Sequence, residues 1–460
     1  MQLAKLIMLK ERKVLFLKSI LSLILVSFSI IVLAQDNSPY SRYGLGDLSP
    51  ATNTTLRGMG SISAAYADIL SVNFNNPASY SNFQTAIEQR SKKVAYGRVL
   101  LDVGLNFDNR TLLSPNTSNR FTSADAVFSY VQIGIPIKRN WGLSFGLRPI
   151  SRISYSISQV ANLTDPVTGN IIDSARTDYK GSGGAYLPSI GTGFAIKNFS
   201  LGFNIGYLFG KREASTLRSF LDSVIVYPSN YSTSTYFGNV FFNAGIQYKI
   251  ELNKTSFLRL GLTGNMQQNL SASQDILRQT YTKGTAGDII QIDSVSQETG
   301  VKGKIIYPAS YKAGFLIQHT KEDASGWMFG ADYTASKWSN YRFYGQTDSV
   351  HDNWQINVGG QIFPKATTNY FSRIAYRFGF FVGPDYIKVQ NNLPQFGASF
   401  GLGLPIANYN RLSPNQYSIL NLSFEYAKRG NNSNLLKENM FRFSLGFNFS
   451  DLWFSKKKYE

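Results

Sequence analysis

The chain has 460 residues, 43% hydrophobic but only 16% charged, with 27 Tyr, 33 Phe and 39 Gly and a formal net charge of +18. That mix departs from the quarter-charged average of soluble domains and carries too much apolar surface for a disordered chain. There is no Cys and there are only two His, His319 and His351. This excludes disulfide frameworks, thiolate metal sites, thiol nucleophiles and a lipidated N-terminal Cys, and it leaves almost no material for a catalytic triad or a multi-histidine metal centre.

The first element reads as an export signal. Lys5, Lys10, Arg12, Lys13 and Lys18 form a positive leader, Ser19 to Leu33 is an uncharged apolar run, and Val32-Leu33-Ala34 ends in small-residue cleavage chemistry, which places cleavage after Ala34. The run is shorter than the ~20 residues of a spanning helix. Removing residues 1–34 leaves a chain that is still basic. An exported chain rarely meets nucleic acid, and no dense Lys/Arg cluster interleaved with aromatics occurs in it, so the charge points to outer-membrane lipid headgroups and lipopolysaccharide phosphates.

Residues 35–93 do not alternate. They are rich in Gly, Asn, Ser, Tyr and Pro, with enough Tyr, Leu, Ile and Val to make a solvated leader unfavourable. From about residue 94 the pattern changes to period two. Phe441, Phe443, Leu445, Phe447 and Phe449 face one way and Arg442, Ser444, Gly446, Asn448 and Ser450 the other. The same alternation recurs at Trp141 to Leu147, Leu201 to Tyr207 and Phe396 to Leu404. Fourteen such segments can be counted to residue 450, separated alternately by short turns (139–140, 198, 253–255, 320–325) and long connections (160–179, 213–234, 275–300). Long outer loops and short periplasmic turns characterise membrane barrels, so this predicts an all-β, 14-stranded antiparallel transmembrane barrel over 94–450 with both termini periplasmic. Residues 451–460 form a basic periplasmic tail carrying Lys456-Lys457-Lys458. A soluble sandwich or solenoid would alternate similarly, but aromatic residues stud the strand ends, and Arg148, Arg259, Asp332, Arg377, Glu425 and Arg442 occupy the opposite face. Such charges suit a wet lumen and burden a closed core. A lumen of fourteen strands is too wide for its own side chains to fill, so residues 35–93 are predicted to fold inside as a plug, or hatch.

Four elements of that segment carry a resemblance. Asn37 to Gly44 is followed by Leu56-Arg57-Gly58-Met59-Gly60, then by Ala65-Tyr66-Ala67-Asp68, then by Asn75-Asn76-Pro77-Ala78. Over about 40 residues this order resembles the plug of the FadL-like outer-membrane barrels, in the version common among Bacteroidota that includes PorV-type proteins. The resemblance implies one of two functions. One is transport of hydrophobic, fatty-acid-like small molecules, with hydrophobic ligand or detergent in the barrel and release through the wall beside a kinked third strand. The other is a non-transporting subunit of a large machine, for protein secretion or outer-membrane protein assembly, in contact with other outer-membrane proteins. Arg57, Gly58, Gly60, Asp68, Asn76, Pro77, Ala78 and Pro149 are the expected hatch and ligand-route residues, with a pocket between the Asn76-Pro77-Ala78 turn and the wall near Pro149. A proline interrupts a ladder because it has no N–H, yet Pro136, Pro188, Pro308 and Pro405 also fall in or beside strands, and a strand end explains any of them.

Read physically, Asn76-Pro77 is a turn, and Gly58 and Gly60 permit close backbone approach. Arg57 either pairs with a lumenal carboxylate such as Asp332 or Glu425 or reaches water. The recurrent Asp-Ser-Val at 222–224, 293–295 and 348–350, with Asp-Ser-Ala at 173–175, lacks the clustered oxygens calcium needs and reads as hairpin extension. Gly181-Ser182-Gly183-Gly184 lacks the Lys of a phosphate loop. The residues point to no enzyme, no cofactor and no metal site.

Overall fold

The computed structural model describes residues 38–87, 94–115, 120–221, 226–284, 289–406 and 417–453. The signal sequence, residues 454–460 of the basic C-terminal tail and the first Asp-Ser-Val lie outside the described residues, while residues 451–453, expected in that tail, continue the last strand. Two short strands, β1 (Asp47–Leu48) and β2 (Thr85–Ile87), precede the wall. The wall then runs through β3 (Val94–Leu113), β4 (Arg120–Lys138), β5 (Trp141–Thr164), β6 (Ile171–Ile196), β7 (Phe199–Phe220), β8 (Ser229–Asn253), β9 (Ser256–Asn265), β10 (Gln268–Lys283), β11 (Ile289–Tyr307) and β12 (Ser310–Thr320). After β13 (Gly326–Ser336), a folded connection carries β14 (Arg342–Phe343), and β15 (Asn353–Phe363), β16 (Ala375–Val389), β17 (Asn391–Ile406), β18 (Tyr417–Arg429) and β19 (Lys437–Trp453) complete it. β9 and β10 are one crossing interrupted at Met266-Gln267, and β11 and β12 are one interrupted at Pro308-Ala309, where the imino acid cannot donate. Each neighbour pairs antiparallel, and β19 closes on β3 from Lys437↔Leu113 to Trp453↔Gly97, giving a closed barrel of 14 crossings.

Alternation decides which side chains meet lipid. Phe199, Leu201, Phe203, Ile205, Tyr207 and Phe209 on β7 are all exposed on the outer surface, as are Phe378 and Phe380 on β16. Trp141, Tyr248 and Trp327 stand near the short turns and Tyr207, Tyr236 and Trp354 near the other end, the two aromatic girdles of a membrane barrel. Facing inward and buried are Asp102, Asn106, Arg259, Asp332, Asn357, Arg377 and Arg442.

Three expectations change. The long connections are largely strand. β5 and β6 run 24 and 26 residues, and the turn between them is confined to 165–170. Ser, Thr and Tyr alternate through these stretches and suit an exposed two-faced sheet as well as a loop. The crossings β5 to β11 therefore stand well above their neighbours. The segment expected as a strand to residue 344 leaves the wall after Ser336 and folds over the interior, placing Trp338 and Tyr341 in an apolar cluster with Tyr40, Leu45 and Tyr386. His319, expected in a connection, ends β12, where its Nδ1 lies 2.8 Å from Ser256 Oγ.

The two ends of the barrel are distinguishable by labelling. An epitope inserted within 284–288 should be cut by protease added to intact cells, and one inserted at Glu322 should be protected; the opposite result would invert the topology.

Candidate functional site

The plug is built from short elements whose caps are written in the sequence. Asn53 accepts the Leu56 N–H at 3.0 Å and starts a single helical turn, Thr54–Arg57. Asn76 accepts the Ala78 N–H at 3.1 Å and starts the 3-10 turn Pro77–Asn82, with Pro77 at the position where a missing N–H costs nothing. Both turns are buried in the lumen.

The wall receives the plug on glycines. Gly142, Gly193, Gly202 and Gly245 lie in one cross-strand row over β5 to β8. A Cβ on Gly193 would stand 2.3 Å from the Pro77 carbonyl oxygen, one on Gly202 2.3 Å from the Pro77 carbonyl carbon, and one on Gly245 2.0 Å from Asn76 Oδ1. Across the lumen, Gly330, Gly359 and Gly379 form a second row over β13, β15 and β16. There a Cβ on Gly359 or Gly379 would strike the Met59-Gly60 backbone. Gly60 itself has φ +64° and packs against the Val358 carbonyl, while Gly58 meets Gly401. The glycines of these two rows are thus part of the footprint of the plug.

Polar groups fasten what the glycines admit. Asn76 donates to the Ala64 carbonyl at 2.6 Å and, more weakly, to Ile246 and Leu262 carbonyls of the wall. Asp332 accepts from the Ser63 and Ala64 N–H groups at 2.6 and 2.9 Å. Arg57, 1% exposed, takes neither of the partners expected of it: it donates to the Asn106 carbonyl oxygen, to Ser129 Oγ, to Ser444 Oγ at 3.2 Å and to the Thr52 carbonyl at 2.9 Å. Asp332 is committed to the plug backbone, and Glu425 is held by Arg442 at 3.3 Å. Burial, with Arg442 nearby, pulls the Arg57 guanidinium down to about 10. Asp68 stays within its own loop, accepting from Ile69 N and Tyr66 Oη at 2.7 and 3.1 Å.

Pro149 sits elsewhere, and its surroundings are the second feature of the site. β4 pairs with β5 only from Lys138↔Trp141 to Val131↔Leu147. Beyond that point β4 follows β3 up to Arg120↔Leu113 and β5 follows β6 up to Thr164↔Ile171, so the wall parts between them. The β5–β6 register shifts between Pro149 and Ser151, as a residue without N–H at a strand edge allows. β1 occupies the free edge of β5 from inside: Asp47 and Leu48 pair with Arg152 and Ser151, Ser49 donates to the Ile150 carbonyl, and Ser38 donates to Ser154. An ion pair between Arg152 and Asp125 spans the breach. Leu48, Val127, Phe128 and Pro149 line a small pocket there.

β1 is held by charge. Asp47 pairs with Arg110 at 2.6 Å and Arg429 at 2.9 Å, Glu438 contacts both arginines, and Asp385 reaches Arg429 at 2.9 Å. Burial pushes the Asp47 carboxyl up, but Arg110 and Arg429 outweigh it and hold it below the usual range. Above the helical turn a cavity of about 380 Å³ is lined both by these charges and Arg148 and by Phe241, Tyr307 and Trp338.

The structure therefore brings Arg57, Gly58 and Gly60 together against the wall on the β15–β19 side, where Arg57 also reaches β3 and β4, and seats Asn76, Pro77 and Ala78 on the β6–β9 wall. Among the described residues, neither the cavity above the helical turn nor the small pocket at the breach is lined by Asn76, Pro77 or Ala78: the turn fills its glycine row, and Pro149 lines the breach together with Leu48 of β1. The Asp47 cluster was missed by sequence reasoning; Asp47 and Arg429 alone lie 382 residues apart. Asp348 of the third Asp-Ser-Val accepts from Gly44 N at 2.8 Å, anchoring the plug rather than extending a hairpin. Among the described residues no group of three or more His, Asp or Glu is placed to hold a metal ion.

A closed barrel of fourteen crossings with a lipid-facing apolar belt and an N-terminal plug is an outer-membrane barrel of the FadL-like fold. A family model described as BamG matches residues 16–460, and the chain belongs to the BamG family. A Pseudomonas aeruginosa FadL homologue of solved structure is 14% identical, with 88% of this chain and 98% of that one aligned at a TM-score of 0.50. The CymD monoaromatic hydrocarbon channel is 14% identical over 89% and 98% at 0.48, and the Ralstonia pickettii toluene transporter TbuX 12% identical over 88% and 99% at 0.46. No curated protein matches the sequence.

Two outcomes follow from the geometry. Gly202→Val should leave a barrel that inserts and resists heat but displaces the Pro77 turn, seen as raised ion conductance in a planar bilayer; unchanged conductance would mean the row does not seat the plug. Asp47→Asn should ease local opening of residues 38–50 by about 3 kcal/mol in hydrogen exchange, since it leaves two buried guanidinium groups short of charge. In the native chain the Asp47 contribution is complete above the carboxyl's ordinary value of 3.8 and is lost as pH falls from there through its depressed folded-state value, so acidification below 3.8 should ease the same opening progressively and match the variant only once the folded-state carboxyl protonates.

Proposed function

We propose that this barrel passes a hydrophobic small molecule, fatty-acid-like in character, from its long-loop mouth sideways into the membrane between β4 and β5, with both termini in the periplasm. The parting of the wall beyond Val131↔Leu147 carries this reading. A greasy molecule loses about 25 cal/mol for each Å² of apolar surface it must expose to a polar lumen, so an exit through the wall avoids the plug altogether. The edges of the breach supply Leu48, Val127, Phe128 and Pro149 as apolar contacts. The groups that close it are the β1–β5 pairing with its flanking Ser38 and Ser49 bonds, the ion pairs on Asp47, and the Arg152–Asp125 ion pair. Each backbone hydrogen bond in such a closure contributes only about 1 kcal/mol net, which makes a movable gate affordable on a transport timescale. The plug motifs shared with FadL-like barrels support the same reading.

A second reading, a non-transporting subunit of a larger outer-membrane machine for protein secretion or barrel assembly, is favoured by one observation. The breach and the cavity above the plug are lined by Asp47, Arg110, Arg429 and Glu438, which a purely apolar cargo would have to pass.

The absence of Cys makes the test clean. With Asp125→Cys and Arg152→Cys bridged by a short bis-maleimide, uptake of a hydrophobic fluorophore into cells should fall to background, while either single variant treated alike should not. Uptake indifferent to the bridge, combined with stoichiometric recovery in a large complex, would replace transport with the machine reading.

A further inference from the structure

The short-turn end is unevenly charged. Three successive turns on one side, β4–β5, β6–β7 and β8–β9, present Lys138, Arg139, Lys197 and Lys254, all exposed. None of the four lies within ion-pair distance of a carboxylate among the described residues. The same arc also holds Lys249, which answers its one acid, Glu251, at 3.4 Å. Elsewhere on this rim, among the described residues, Lys321 adjoins Glu322 and Asp323 in the β12–β13 turn, Lys365 pairs with Asp323 at 3.6 Å, and Arg373 donates to the Thr367 carbonyl at 3.0 Å.

The cations are fixed in height. Asn140 and Lys197 adopt left-handed φ of 62° and 53°, closing the tight turns that hold them at the end of the belt. Each turn is tied to the next crossing, since Ala195 donates to the Asn140 carbonyl at 2.8 Å and Lys249 to the Asn198 carbonyl at 2.9 Å. Every cation-bearing turn also places a large apolar residue on the outer surface one or two positions away: Trp141 beside Arg139, Ile196 and Phe199 about Lys197, Leu252 before Lys254. Lys138 Nζ lies 5.5 Å from the centre of the Trp141 ring.

We infer that this arc is a binding surface for anionic phospholipid, with the lipid phosphates of the short-turn leaflet against Lys138, Arg139, Lys197 and Lys254 and the acyl chains against Trp141, Ile196, Phe199 and Leu252. The repeated pairing of an unanswered cation with a lipid-facing apolar side chain is what selects lipid over an acidic protein, which would meet the cations from the aqueous side and leave the apolar partners unused. The inference stands apart from the proposed route, which uses neither these turns nor this end of the barrel.

Its test is lipid retention by the full barrel reconstituted in mixed phosphatidylcholine and phosphatidylglycerol, extracted in detergent and weighed by native mass spectrometry. The wild type should retain phosphatidylglycerol preferentially and lose that preference at high salt. The combined variant Lys138→Gln, Arg139→Gln, Lys197→Gln, Lys254→Gln should lower it about fivefold or more, while Lys321→Gln with Lys365→Gln leaves it unchanged. Heat-dependent migration on gels reports folding, and the pair Arg139→Gln, Lys197→Gln provides a milder change with a partial loss. Equal retention by wild type and variant would overturn the inference. So would a preference for lipid A phosphates over phosphatidylglycerol, or a loss confined to an acidic copurifying protein.

Discussion

Everything in this molecule follows from the width of a closed fourteen-crossing barrel. The hydrogen-bond ladder fixes the circumference, and at this size side chains reaching inward from opposite walls do not meet. The interior must be occupied by something else, and here it is the chain's own N-terminal segment. Its short caps at Asn53 and Asn76 leave few regular backbone bonds of its own, so it depends on wall groups such as Asp332, Asn357 and Gln247 to satisfy its N–H and C=O groups. Barrel and plug are one folding problem.

The same dependence shapes the breach. Where β4 and β5 part, two strand edges inside a membrane protein are left with unpaired backbone groups, a condition hydrocarbon does not tolerate. β1 answers one edge, and the charges on Asp47, Arg110 and Arg429 keep it there. Charge is an unusual adhesive for this purpose. It is strong in a low-dielectric interior, yet it answers to hydration in a way that apolar packing does not, so wetting of the cavity above the plug weakens the hold on β1.

Much of this was legible in the sequence and some was not, for physical reasons. Period-two alternation located all fourteen crossings, because a lipid-facing side and a wet side impose opposite chemistries on neighbouring residues. It did not separate tall strands from loops at 160–164, 171–179 or 289–300, since a sheet exposed on both faces carries no such contrast. Asn76 and Pro77 announced a turn because local chemistry makes one. The Asp47 cluster, the Arg57 hydrogen bonds to Asn106 and Ser444, and the departure of 337–352 from the wall depend on residues tens to hundreds of positions apart, about which local pattern says nothing. The lumenal glycines lay between these cases. They were visible as the small members of alternating runs, but only the seated plug shows what their smallness is for.

The glycine rows also divide the burden of heredity unequally. At the closest approaches the wall contributes the absence of a side chain and the plug contributes main-chain carbonyls of Met59, Ala64 and Pro77. Main chain is the same whatever residue bears it, so a plug position at such a contact is free to vary where its own side chain points elsewhere, whereas the glycine facing it has no neutral replacement. Tolerance of substitution is therefore unequal in this chain: where the plug meets a wall glycine through main chain its own residue can change, while the glycine facing it cannot.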